Sequence, residues 1–276
     1  MRSGVILYVL YMAVFICLTV GEAGAGNIWI DGMGTSSTSG TWDSGIRSDT
    51  ETSIYPPYVK RWEKYEWRGE GKNVVPAYNF ALIYDGYVYF GEGNHKPDYE
   101  SWAEPGYVWA WDVATGVTKT GYPLGPLDSG IMSLGGGIVI AQDKLYALTN
   151  HYVWAWDIGV ENPQVINGYP VYITETAGGN ARPNNGLIIY NNKLLFATST
   201  GATVNAYVYA LDAASGGEAW KKDLGIINAG LVTAWNGRVY VAGRTDGKIY
   251  CWDAETGADC TNFPVDVIGN IRAMPI

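Results

Sequence analysis

Apolar and polar positions along this chain fall into short β-rich runs cut by tight turns, with no helical period longer than one turn. The clearest case is Leu231-Val-Thr-Ala-Trp235, then Asn236-Gly237, then Arg238-Val-Tyr-Val-Ala242. Asn-Gly between two such runs predicts a hairpin, because a type I′ turn needs positive φ at both central residues. The arrangement recurs upstream: Ala81–Tyr84, Asp85-Gly86 and Tyr87–Phe90; Gly137–Ile140, Gln142-Asp143 and Lys144–Ala147; Leu187–Tyr190, Asn191-Asn192 and Lys193–Phe196. A phrase ending in aspartate follows each hairpin: Tyr107–Asp112, Tyr152–Asp157, Tyr207–Asp212 and Lys248–Asp253. These aspartates lie 45, 55 and 41 residues apart. A turn then leads into a fourth short segment, at Tyr122–Leu124, Tyr169–Val171, Trp220–Leu224 and Phe263–Val265.

Four short strands in about 50 residues is the size of one propeller blade. The pattern therefore predicts an all-β propeller of four-stranded antiparallel blades, about four complete and one partial. Stacking blades radially buries both faces of each sheet, which accounts for many Trp and Tyr and little charge. Blade one begins near Tyr58–Trp62, and a fifth starts at Asn262–Asp266, with its second strand expected at Arg272–Ile276. Two organisations stay open: an incomplete ring belonging to a longer parent, or a five-bladed ring closed by Asn27–Asp31. The second needs further strands, for which Thr41-Trp42-Asp43 is available.

The start of the chain reads as an address. Arg2 precedes the uncharged apolar run Val5–Val20, and Ala23-Gly24-Ala25 is a small-x-small cleavage site. Residues 1–25 are thus expected to be a signal peptide and residues 26–57 an N-terminal strand with a Ser/Thr/Gly-rich linker. The repeats occupy 58–276. No later apolar run is long enough to span a bilayer. The expected location is exported: periplasmic, cell-surface or extracellular. A net charge of −9 disfavours nucleic acid and anionic membranes as partners. Cys251 and Cys260 remain after cleavage, and in an oxidising compartment an even pair is expected to form a disulfide.

Tyr209-Ala-Leu-Asp-Ala-Ala-Ser-Gly-Gly-Glu-Ala-Trp220 resembles the pyrroloquinoline-quinone (PQQ)-like propeller repeat, and degenerate copies extend over roughly Tyr58 to Ile276. The resemblance implies that Asp112, Asp157, Asp212 and Asp253 are blade-locking residues. The chemistry agrees: Asp accepts hydrogen bonds from turn amides, and Gly takes the left-handed position. For quinone-dependent dehydrogenases of this kind, the resemblance would imply adjacent cysteines, a calcium site from Glu, Asn and Asp, and a catalytic Asp. The sequence has no Cys-Cys pair and no matching calcium or catalytic motif, so neither PQQ nor calcium is expected.

Other catalytic patterns are missing too: no Gly-x-Ser-x-Gly, no His-Glu-x-x-His, and only His95 and His151 as histidines. Trp109/Trp111 and Trp154/Trp156 alternate along strands and read as blade-to-blade core. The longest insertion between paired strands is Gly91–Gly106. Its Asn94, Asp98, Tyr99, Glu100, Trp102 and Glu104 form the candidate ligand-binding set, an acidic, aromatic loop on a rigid scaffold. The expected function is a non-enzymatic scaffold binding a protein or a cell-surface glycan, similar to the quinoprotein-like envelope assembly scaffolds. The competing reading is a fragment of a quinone-dependent or hydrolytic enzyme whose catalytic blades are absent.

Overall fold

The structure is a computed structural model. It describes residues 6–10, 13–17, 35–36, 42–43, 75–76, 81–93, 106–128, 137–149, 151–173, 181–200, 205–226 and 229–267. Among these residues every regular element is a strand. Blade one holds β1 (Leu82–Tyr84), β2 (Tyr87–Gly93) and β3 (Val108–Asp112). Blade two holds β4 (Ile138–Ala141), β5 (Lys144–Leu148), β6 (Tyr152–Asp157), β7 (Gln164–Val165) and β8 (Val171–Tyr172). Blade three is β9 (Ala181–Tyr190), β10 (Lys193–Thr200), β11 (Tyr207–Asp212) and β12 (Glu218–Asp223). Blade four is β13 (Ala229–Trp235), β14 (Arg238–Gly243), β15 (Lys248–Asp253) and β16 (Val265–Asp266). Neighbours within each blade pair antiparallel in sequence order.

All four predicted hairpin turns have positive φ at both central residues: Asp85/Gly86, Gln142/Asp143, Asn191/Asn192 and Asn236/Gly237. That is the type I′ geometry, whose twist matches the flanking strands. The outer strand is less regular than the repeat predicts. In blade one it is reduced to two bridges, Trp111 with Thr118 and Val108 with Leu124. In blade two it is split, β7 pairing with one end of β6 and β8 with the other. Pro123 and Pro170 stand at these interruptions, and proline has no N–H to give to a ladder.

Alternation along the strands fills both faces. In blade three, Leu194, Phe196, Tyr209 and Leu211 pack with Tyr146, Leu148 and Val153 of blade two. The intervening Leu195, Ala197, Val208 and Ala210 pack with Val232, Val239, Val241 and Trp252 of blade four. A third layer joins Tyr89, Val108 and Ala110 to Leu145, Ala147 and Trp156 across blades one and two. Trp109 and Trp111 are buried on blade one's other face, with Val88 and Phe90. Fully burying one Leu, Val or Phe side chain contributes about 1.5–3 kcal/mol, so these layers supply most of the stabilisation.

Ahead of the blades, Ile6–Leu10 pairs with Ala13–Cys17, and Thr35–Ser36 with Trp42–Asp43. Val75–Pro76 extends blade one by pairing with Gly93 and Glu92. The expected strand at Asn27–Asp31, the blade start at Tyr58–Trp62 and the segment Arg272–Ile276 lie outside the described residues. No described helix is long and apolar enough to cross a membrane.

Candidate binding face

An antiparallel blade sends successive connections to opposite ends. The type I′ turns and the turns after the aspartates share one end, termed the turn end. The connections from second to third strand, and from each blade to the next, share the other, termed the loop end.

The turn end repeats itself closely. Asp112, Asp212 and Asp253 each accept through Oδ1 from the backbone N–H groups two and three residues on, and from the Thr115, Ser215 or Thr256 hydroxyl, at 2.7–3.1 Å. These bonds favour the ionised form and hold all three carboxyls below the ordinary range. The Thr115 hydroxyl leads for Asp112, the Ser215 hydroxyl for Asp212 and the Thr256 amide for Asp253. Asp157 stands apart, since Ile158-Gly159-Val160 replaces the Thr/Ser-Gly turn and Oδ1 accepts from the Gly159 N–H at 3.0 Å. In every blade the amide after the aspartate donates to the carbonyl of the second hairpin-turn residue. The pairs are Val113 to Gly86, Ile158 to Asp143, Ala213 to Asn192 and Ala254 to Gly237, all at 2.8–2.9 Å.

The same end ties blade to blade. Trp220 Nε1 donates to the Ala254 carbonyl at 3.1 Å, and Tyr169 Oη to the Ala213 carbonyl at 3.1 Å, the residue after the aspartate in both cases. Burial pushes the Tyr169 hydroxyl's pKa up and keeps it a donor. Gly216 and Gly257 have φ of 74° and 70°, and their lack of a Cβ admits these partners. A Cβ on Gly257 would lie 2.8 Å from Trp220 Cγ, and one on Gly216 would lie 2.5 Å from Val171 Cγ2. Tyr84 Oη donates to Asp143 Oδ1 at 2.5 Å, the Gly237 N–H donates to Tyr190 Oη at 2.8 Å, and Lys193 Nζ meets Glu255 Oε2 at 2.5 Å.

The loop end varies from blade to blade. Second and third strands are joined by residues 94–107, 149–151, 201–206 and 244–247 in turn. The pair of residues closing the third and fourth strands at this end also changes. It is Tyr207 opposite Asp223 in blade three, Lys248 opposite Asp266 in blade four and Tyr152 opposite Tyr172 in blade two. The two tyrosine rings of blade two lie 5.2 Å apart at 53°, and Tyr172 is 45% exposed. Below them Tyr152 contacts Trp154 at 6.2 Å, and Trp154 stacks on Trp156 at 5.9 Å. Asp128 accepts from Trp154 Nε1 at 3.2 Å and from the Thr149 hydroxyl, whose oxygen in turn accepts from the Tyr152 N–H at 3.1 Å. His151, half-buried, adjoins this group in the chain.

Asn94, Asp98, Tyr99, Glu100, Trp102 and Glu104 lie outside the described residues, in the connection that leaves and re-enters blade one at the loop end. Tyr152, Tyr172 and Asp128 are not part of the sequence-derived set. Aligning Tyr172 with Asp223 and Asp266 is the signal that singles it out, and it needs the strand register. Cys251 and Cys260 form a disulfide between β15 and the outer strand, at the register of Ala210 and Trp220 in blade three. The quinone and calcium implied by the resemblance find no fitting cradle among the described residues. The two cysteines are nine apart rather than adjacent, and among the described residues no three His, Cys, Asp or Glu side chains converge in an arrangement able to hold a metal ion.

Residues 204–263 match the family described as outer membrane protein assembly factor BamB. Comparison with curated proteins gave no match. Among solved structures, the computationally designed Ika8 protein is similar over 97% of this chain and 76% of its own, at 14% identity and a TM-score of 0.50. The designed Ika4 protein aligns over 67% of this chain and 99% of its own, at 14% identity and a TM-score of 0.42. A europium-containing methanol dehydrogenase aligns over 45% of this chain at 22% identity and a TM-score of 0.34, and the chain spans only 23% of that enzyme's length.

Proposed function

We propose that this chain, a PQQ-like repeat protein, is an exported, non-enzymatic propeller scaffold that holds a protein or a glycan on its loop end. The observation that carries this reading is the contrast between the two ends. The turn end repeats one backbone bond in all four blades and the aspartate's side-chain bonds to its own turn in three. The loop end differs in length and residue type in every blade, as binding residues on a rigid scaffold do. The family matched at residues 204–263 is described as an assembly factor, which fits a scaffold better than a catalyst. Export rests on Val5–Val20 and the Ala23-Gly24-Ala25 site, and on a disulfide of the kind that persists in oxidising compartments. Within the loop end, Asn94, Asp98, Tyr99, Glu100, Trp102 and Glu104 are proposed ligand contacts, and Trp102→Ala is expected to weaken binding.

A photo-cross-linking amino acid tests this in the full chain produced by its own cell, placed at His151 or Arg244 on the loop end and at Gln142 or Asn236 on the turn end. Discrete adducts are expected from the loop-end positions and none from the turn end. Adducts confined to the turn end would overturn the proposal. Calorimetric uptake of PQQ with calcium by the chain would overturn its non-enzymatic half.

A further inference from the structure

We infer that Tyr152 and Tyr172 form a stacking platform for a neutral sugar ring, a proposal that rests on the loop end being the binding face. In a repeat protein the positions that depart from the repeat are the ones freed from holding it together. At this register blades three and four close with an aspartate opposite a tyrosine or a lysine, while blade two closes with two tyrosines. The neighbouring positions follow suit. In blade three Lys221 caps the Tyr207 ring, its Nζ 4.9 Å from the centroid, whereas in blade two Pro170 stands before Val171 where Lys221 stands before Lys222. Tyr172 is the exposed aromatic of the loop end among the described residues, and Trp235 that of the turn end.

The platform is held firmly from below. The Tyr152 amide is fixed by Thr149, and its ring leans on Trp154, which is pinned through Nε1 to Asp128 and stacked on the buried Trp156. A rigid pair of rings loses little entropy on contact, which is why tyrosine serves well as a binding anchor. Among the described residues the apolar area on offer is that of two rings, with the half-buried Asp128 carboxylate bonded to Trp154 beneath them. A protein partner needs a broader apolar core, in an interface of about 800 Å² per side. A pyranose suits the smaller patch: its C–H face lies on an aromatic ring while its hydroxyls reach polar neighbours. A net charge of −9 disfavours an anionic polysaccharide and favours a neutral one.

The test is titration calorimetry of the full chain with cellohexaose, chitohexaose and mannohexaose, and with polygalacturonate as the anionic comparison. At least one neutral hexasaccharide is expected to bind. Tyr172→Ala should then weaken it roughly tenfold, equivalent to about 1.4 kcal/mol. Tyr172→Phe should retain affinity, and Tyr172→Asp, the residue type of blades three and four, should lose it. Trp235→Ala should leave affinity unchanged, and thermal unfolding of each variant checks that the fold is intact. Silence from all three neutral sugars, preference for polygalacturonate, or undiminished binding by Tyr172→Ala would overturn the platform. Continued adducts from His151 would show that the loop-end reading had survived the failure, and their loss that both had failed.

Discussion

The turn end and the loop end are built from the same strands and differ in what their residues are committed to. At the turn end, side chains are spent on neighbours: three of the aspartates on their own turns, Tyr84 and Tyr190 on the next hairpin turn, Tyr169 and Trp220 on the next blade's carbonyls. The aspartate turn recurs in three blades, and the tyrosine and aromatic-to-carbonyl bonds in two each. At the loop end the bond shared by all four blades is a backbone one, from Leu127 to Gly106, Ile173 to His151, Leu224 to Ala206 and Val267 to Gly247, so side-chain type there is free to vary. Recurrence marks structure, and departure from it marks candidate function.

That comparison breaks most sharply at Trp220, which is 7% exposed and sits at the junction of blades three and four. Trp220→Ala removes a buried indole and its hydrogen bond to Ala254, and should cost about 3–5 kcal/mol in urea unfolding. A loss below about 1 kcal/mol would show that the blades are not locked there. A smaller effect separates two aspartates at the same register. Asp212→Ala strips four donors of their acceptor and should lower Tm clearly, whereas Asp157→Ala affects one amide and should lower it less. Equal shifts would mean that the repeated turn geometry contributes nothing.

Acid should weaken the turn end next. Asp112, Asp212 and Asp253 have folded pKa values below the unfolded value of about 3.9. Between the two values the unfolded chain binds more protons than the folded one. The stabilisation is therefore fully present above the unfolded value and is lost as pH falls through the folded values. Tm measured downward from pH 6 should begin to fall near pH 4–5, and Asp212→Asn should flatten part of that slope. A profile identical in wild type and variant would remove these carboxylates from the account. The smallest effect is expected at the loop end, where Tyr172→Ala should change stability by no more than about 0.5 kcal/mol. A larger loss would make Tyr172 a structural residue.

Blade boundaries and hairpins were legible in the sequence because they depend on local chemistry. Asn236-Gly237 needs only its own φ angles, and Asp212 needs only the three residues after it. The split outer strand of blade two was not legible. It depends on how Pro170 interrupts pairing with β6, which periodicity does not reveal. The same limit applies to the site. A long acidic loop such as 94–105 stands out in a sequence, whereas the facing of Tyr152 and Tyr172 comes from cross-strand register over a separation of 20 residues. Asp128 joins them only because the chain leaving blade one passes over Trp154.

Amide hydrogen exchange of the full chain, with and without a saturating neutral hexasaccharide, tests the division of labour between the two ends most directly. Added protection should be confined to loop-end segments, with residues 149–152 and 171–173 foremost, while the hairpin turns at 85–86, 142–143, 191–192 and 236–237 stay unchanged. Protection centred on those turns, or none at the loop end, would contradict it.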